Sequence, residues 1–368
     1  YAERPCFGVK PDEVGLEDKS LSKEQLLVIN ESKLASPLVW YSYNHSFQRI
    51  KAIGKLLREL KIKPGSFIGT CGDNSKAYLE CWLAILGHDY VSVPLSVTLS
   101  DDNTLHIIQE ANICAAFIAP EKWERYEKLF GMLDTKEQDV LMLPMSERKI
   151  SDWVKTFESK EEEKKLPMEP QVRTDEKDPR YEEPRIILYT SGSTGRPKGA
   201  VMSDGILQLE CSRSIYKDYP HYHGTEVGIC DSPAAVSSSI YNMLAYLVNG
   251  GRVSVYHNLS ESFDICEQTG PSSLGMVPQK WNVLFKRYQA RLNAGEKKEK
   301  LDKEFKNILG WRVQALNCGG ATPIPAVQKW LKEVFTHCQI TENYAATECG
   351  GITTSREGES GKIKKGVE

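Results

Sequence analysis

Residues 186–202 read Ile-Ile-Leu-Tyr-Thr-Ser-Gly-Ser-Thr-Gly-Arg-Pro-Lys-Gly-Ala-Val-Met, a short apolar run that breaks into hydroxyls and glycines and ends on a proline-set lysine. Ile186, Ile187 and Leu188 are β-prone and apolar on both faces, as a strand of a buried parallel sheet should be. Ser191, Ser193 and Thr194 then supply hydroxyl donors. Gly192, Gly195 and Gly199 allow backbone conformations in which successive N–H groups turn toward one anion. Pro197 stiffens the approach to Lys198, whose charge completes a site for polyphosphate. The spacing differs from the ordinary P-loop, which needs Gly, four residues and then Gly-Lys-Ser/Thr, because here the lysine lies between Pro197 and Gly199.

Residues 190–199, Thr-Ser-Gly-Ser-Thr-Gly-Arg-Pro-Lys-Gly, resemble the signature loop of the adenylate-forming enzymes: acyl-CoA synthetases, peptide-synthetase adenylation domains and luciferases. A second stretch, Asn343-Tyr344-Ala345-Ala346-Thr347-Glu348, resembles the Tyr-Gly-x-Thr-Glu motif of that family, with Ala345 where glycine is usual. Between the two, Gly319-Gly320-Ala321 matches the segment that lines adenine. Carried over position by position, the resemblance implies that Ser191, Gly192, Ser193, Thr194, Gly195 and Lys198 hold ATP phosphates. Tyr344 stacks on adenine, Thr347 hydrogen-bonds the α-phosphate and Glu348 ligates Mg2+. Each role suits its side chain: an aromatic face for a base, a hydroxyl for a phosphate oxygen and a carboxylate for a hard cation. Thr190, Lys198 and Glu348 are the expected catalytic residues.

Around these motifs the chain alternates strand and helix signals. A helix-period segment over 45–60 precedes the turn Lys63-Pro64-Gly65 and a strand over 66–70. Tyr78, Leu79, Trp82, Leu83 and Leu86 then fall at helical spacing and lead to the strand 90–95. Residues 105–111 and 114–118 repeat the rhythm, which indicates parallel βαβ units. The charged, proline-containing segment 158–184 has little to bury and reads as a linker. The helix expected over 206–215 would add its N-terminal dipole to the anion site. Further helices are expected over 240–248, 281–292, 296–306 and 326–335, and further strands over 227–230, 252–256, 274–278 and 313–316. The expectation is an α/β protein of two side-by-side subdomains with mainly parallel sheets, over 1–184 and 185–368, with the nucleotide in the crevice where strand ends meet.

Composition excludes several classes. A formal net charge of -3 over 368 residues gives no bulk attraction to nucleic acid or anionic membrane, and no apolar stretch reaches transmembrane length. The 10 cysteines include no Cys-x-x-Cys pair and read as reduced thiols, which with the rest points to a cytoplasmic protein, peripheral membrane association of the full-length protein being left open. His221, His223 and Cys230 lack the remaining ligands of a standard zinc spacing.

The resemblance implies ATP-dependent activation of a carboxylic acid, with a fatty acid as the expected substrate and CoA as the acceptor. The Arg4-Pro5-Cys6-Phe7-Gly8 opening and the Thr-Glu-Cys-Gly-Gly ending look most like long-chain acyl-CoA synthetases, while residues 281–324 also resemble adenylation domains of carboxylic acid reductases. It also implies a small C-terminal domain, absent here, whose lysine completes the site, so this chain alone is expected not to turn over. Two departures support a rival class, a nucleotide-binding scaffold without catalysis. Ala234-Ala235-Val236-Ser237 replaces the His or aromatic residue that usually follows the proline corresponding to Pro233, and Ala345 replaces glycine.

Overall fold

The structure, a computed structural model, describes residues 2–10, 38–134, 138–158, 179–190, 195–213, 227–230, 233, 235–256, 262–310, 312–348 and 350–354. The expected linker (residues 159–178 of it), His221, His223 and the terminal segment 361–368 lie outside the described residues.

Two short strands, β1 (Pro5–Val9) and β2 (Val39–Ser42), lead into helix α1 (Tyr43–Glu59). Four βα steps follow: β3 (Phe67–Cys71) and α2 (Lys76–Gly87), β4 (Val91–Pro94) and α3 (Asp101–Glu110), β5 (Ala115–Ile118) and α4 (Trp123–Phe130), β6 (Leu141–Pro144) and α5 (Glu147–Glu158). The motif region brings β7 (Pro184–Thr190), β8 (Lys198–Ser203) and α6 (Asp204–Arg213). Then come β9 (Val227–Ile229), α7 (Ser237–Val248), β10 (Arg252–Ser254), α8 (Ser262–Thr269), β11 (Ser273–Met276), α9 (Pro278–Asn293) and α10 (Lys298–Ile308). The described residues end with β12 (Ala315–Gly319), α11 (Pro325–Val334), β13 (Gln339–Ala346) and β14 (Gly350–Thr354).

Local chemistry accounts for these boundaries. Ser42, Ser75 and Ser100 each cap the helix that follows, accepting from His45, Tyr78 and Asn103 N–H groups respectively. The turn at Lys63-Pro64-Gly65 closes with Ser66 N–H on Lys63 O at 3.1 Å, and Gly65 takes φ +80. Helix α7 ends where Gly250 N–H reaches Leu247 O and Gly251 N–H reaches Tyr246 O, the paired bonds of a Schellman closure.

The strands form three sheets, ordered β2-β1-β10-β9, β11-β12-β13-β14 and β6-β5-β3-β4-β7-β8, with parallel pairing except at β1–β2, β7–β8 and β13–β14. The division expected at 184/185 therefore does not separate sheets. β7 pairs with β4 through Ser92 and Ile186, and β1 pairs with β10 through Phe7 and Val253. One large core accordingly mixes Phe7, Trp82 and Phe117 with Ile186, Met202 and Val253. A second core around Trp281, Tyr288, Phe305, Trp330 and Phe335 packs its rings edge-on, Tyr288 and Phe305 at 5.1 Å and 88°.

A buried square of charges ties α1, α2 and α5 together. Arg49 Nε lies 2.6 Å from Glu80 and its Nη2 2.7 Å from Glu147, and Lys76 Nζ lies 2.7 Å from Glu147. Burial opposes the charged form of Glu147, but Lys76 and Arg49 outweigh it and hold the carboxyl at about 2. Burial first, then the Lys76 and Arg49 charges, lowers His45 to about 3, and burial with Arg58 lowers His88 to about 4. In all three cases the unfolded chain binds more protons over the intervening pH range, so acid favours unfolding. Stability should begin to fall below about pH 6.5, as the unfolded histidines protonate, and fall more steeply below about pH 4.5 as Glu147 joins them. Urea titrations between pH 7.5 and 4 test this. If replacing both histidines by asparagine leaves the upper limb in place, that assignment is wrong.

Candidate functional site

The sequence reads as the strand Pro184–Thr190 feeding a phosphate-holding loop, with a helix over 206–215 as the next element. Instead the strand turns into an antiparallel partner: Thr190 stands opposite Lys198 and Tyr189 opposite Gly199. Gly199 is required by packing, since a Cβ there would sit 2.8 Å from Ile187 Cγ2. Gly195 takes φ +93 with nothing near a would-be Cβ, so conformation alone selects it. Lys198 is exposed, and Ser191, Gly192, Ser193 and Thr194 lie outside the described residues. Helix α6 does not follow the motif directly. The six residues of β8 carry the chain away before Asp204 starts the helix, about 3.3 Å per residue.

The remaining motif residues gather at the carboxyl end of the second sheet. β12 ends at Gly319, which pairs in register with Asn343 of β13. Gly320 follows at φ +83, a backbone state that a side chain would strain, and Ala321 is exposed beside it. β13 and β14 form a hairpin with Ala346 opposite Gly350, which places Thr347 and Glu348 at its tip. Tyr344 is 65% exposed, so its ring face is open to a flat partner. The structure thus brings together Gly319, Gly320, Ala321, Tyr344, Thr347 and Glu348 on one sheet, while Thr190 and Lys198 stand on another. The helix α6 packs against β14 and so links the two hairpins. Among the described residues Lys198 and Glu348 enter no ion pair, leaving one cationic and one anionic side chain open to a ligand.

A magnesium ion bound through phosphates needs only one or two protein carboxylates, and the exposed Glu348 meets that demand. Among the described residues no group of three or more His, Cys, Asp or Glu side chains is arranged so that it could hold a metal ion. Elsewhere, a cavity of about 140 Å³ opens at the carboxyl ends of β3, β5 and β6, against Asp73, Lys76, Glu121 and Glu147. Its Lys76 and Glu147 are already paired with each other. Cys6, Cys71, Cys81, Cys230, Cys266 and Cys318 are buried, and burial followed by Glu342 pushes the Cys318 thiol up to about 11, so it is no nucleophile at neutral pH.

The same layout occurs in known proteins. The AMP-binding enzyme family matches residues 27–366. The chain is 25% identical over 362 residues to long chain acyl-CoA synthetase 1 of Arabidopsis thaliana, covering 86% of this chain and 53% of that protein. It is 24% identical to long-chain-fatty-acid–CoA ligase 6 of Rattus norvegicus, covering 89% and 52%. Among solved structures, the adenylation domain of a carboxylate reductase from Mycobacterium chelonae superposes with a TM-score of 0.73 at 20% identity, over 96% of this chain and 57% of that one. The A-PCP didomain of a carboxylic acid reductase from Segniliparus rugosus in complex with AMP gives 0.73 at 19%, over 99% and 53%.

A mixed α/β protein with mainly parallel sheets is what the strand order and pairing define. The chain belongs to the AMP-binding enzyme family, and it spans about half the length of the curated relatives it matches. Among the described residues no helix is long and apolar enough to cross a membrane.

Proposed function

We propose that this chain carries the nucleotide- and acid-binding part of an enzyme that activates a carboxylic acid with ATP. One acid oxygen attacks the α-phosphorus, the bond from that phosphorus to the bridging oxygen breaks, and acyl-adenylate and pyrophosphate result. The observation that carries this reading is the convergence of Gly319, Gly320, Tyr344, Thr347 and Glu348 at one sheet end. There the missing Cβ atoms admit a base edge, the Tyr344 ring supports its face and the Thr347 hydroxyl meets the α-phosphate. Magnesium, held by Glu348 and the phosphates, would neutralise charge on the transferring group. Lys198, opposite Thr190, adds a second positive charge where the phosphate-holding hairpin begins its return strand. No protein nucleophile is required, so catalysis would rest on alignment and charge. The names of the relatives favour CoA as acceptor of the acyl group.

Calorimetry on the chain should detect magnesium-dependent ATP binding, weakened about tenfold to a hundredfold in Lys198→Ala through loss of a charge-assisted contact. In the full-length protein, Glu348→Ala should lower acid-dependent pyrophosphate exchange by about a hundredfold. Undiminished ATP affinity in the lysine variant, together with undiminished exchange in the glutamate variant, would refute the reading.

A further inference from the structure

On the face of the second sheet that looks toward α7, two glycines stand beside three amides. Gly275 on β11 is exposed, and a Cβ there would lie 3.8 Å from Asn317 Cβ and 3.9 Å from Asn242 Nδ2. Asn242 comes from α7, which belongs to the first core, so its amide reaches across to the second sheet. One strand further along, a Cβ on Gly319 would lie 3.9 Å from Asn343 Cβ. Gly275 and Asn317 are register neighbours, as are Asn317 and Thr341 and then Gly319 and Asn343, which puts them on one face. The Thr341 hydroxyl donates to Asn317 Oδ1, which fixes that amide and turns its Nδ2 donors away from Thr341. Among the described residues Asn317 Nδ2 and the side chains of Asn242 and Asn343 make no hydrogen bond.

We propose that the groove between Asn242, Asn317 and Asn343 receives the acid, and that its amides select a compact carboxylic acid bearing hydroxyl, keto or amide groups over an unbranched alkyl chain. The assignment rests on the adenylation reading, because Gly319 is both the end of the groove floor and the start of the turn given to the nucleotide. An acid lying in the groove adjoins whatever occupies Gly320 and Tyr344. An alkyl chain laid over these amides would strip water from their donors and acceptors without replacing those bonds. Sites built to hydrogen-bond their ligand reject analogues lacking the partner group far more strongly than apolar pockets reject an added one. Such a preference would differ from the fatty acid expected from the sequence and named for the relatives.

The test titrates the chain, in magnesium-ATP, with 4-hydroxybenzoate, lactate and N-acetylglycine against dodecanoate and hexadecanoate. At least one of the polar acids should bind about tenfold or more tighter than either alkyl acid. Asn317→Leu should shrink or reverse that preference, and Gly275→Val should fill the floor and abolish acid binding while ATP affinity is kept. ATP binding accompanied by alkyl preference, by no acid binding, or by a preference untouched in Asn317→Leu overturns the groove assignment alone. Failure of the unchanged chain to bind ATP overturns the adenylation reading, and the groove assignment falls with it.

Discussion

Replacing Arg49 by methionine is expected to remove about 3–5 kcal/mol of unfolding free energy, because it strands buried carboxylates rather than merely deleting a contact. Arg49 is 2% exposed and Glu80 is fully buried, and the guanidinium also bonds Ser151 Oγ at 2.8 Å and Glu147 at 2.7 Å. Lys76 would then face two carboxylates at once, lying 3.3 Å from Glu80 and 2.7 Å from Glu147. Arg49→Lys should recover only part of the loss, since one ammonium cannot span the three acceptors that a planar fork reaches. Adding Glu80→Gln to Arg49→Met should restore stability relative to the single variant by removing the stranded charge. Urea unfolding of the three variants measures this. A loss under about 1 kcal/mol in Arg49→Met, the range of an exposed pair, would show that the square is solvated.

Gly310→Ala is expected to be nearly as damaging, and for a different reason. Gly310 follows α10 at φ +86, and a Cβ would land 2.5 Å from Gly270 Cα and 2.6 Å from Cys266 O. Both neighbours are backbone, at the end of α8, so neither can swing aside as a side chain could. The left-handed conformation contributes about 1–2 kcal/mol and the overpacking about 1–3 kcal/mol. Gly65→Ala is the matched control: φ is +80 there too, but nothing lies within 4 Å of its would-be Cβ. Only the conformational part should be lost at Gly65. Equal losses at the two positions, read as shifts in urea midpoint, would remove the clash from the explanation.

The elements legible in the sequence are those whose cause is local. Tyr78, Leu79, Trp82, Leu83 and Leu86 mark one helix by spacing, and the chain does form Lys76–Gly87 there. β8 went unread although Ala200 and Met202 point inward with Gly199 and Val201 outward, because Pro197-Lys198-Gly199 looks like the end of a loop. β1 and β2 lie outside the strand–helix rhythm that marks β3 to β5, and what fixes β1 is its pairing with β10, far off in sequence. The residues proposed to hold the nucleotide are legible because each motif is contiguous: Gly319-Gly320-Ala321 and Tyr344 to Glu348 keep their chemistry within a few positions. The groove was not. Asn242, Asn317 and Asn343 come from a helix and two strands, and only the register of β11, β12 and β13 brings them to one face.

The pairing of Phe7 with Val253 also has a consequence for how the chain is made. β1 leaves the ribosome well before its parallel partner, which lies more than two hundred residues further along the chain. At about 5–20 residues per second that interval is on the order of 10–50 s. Meanwhile β1 has only β2 to pair with, and a two-stranded ribbon is marginal in water, so Cys6, Phe7 and Val9, all buried in the finished fold, remain accessible. The six-stranded sheet can close sooner, since β7 and β8 both precede β10 in the chain. The nascent β1–β2 segment is thus a substrate for holding chaperones, and the sheet that pairs β1 with β10 assembles only after β7 and β8 have emerged.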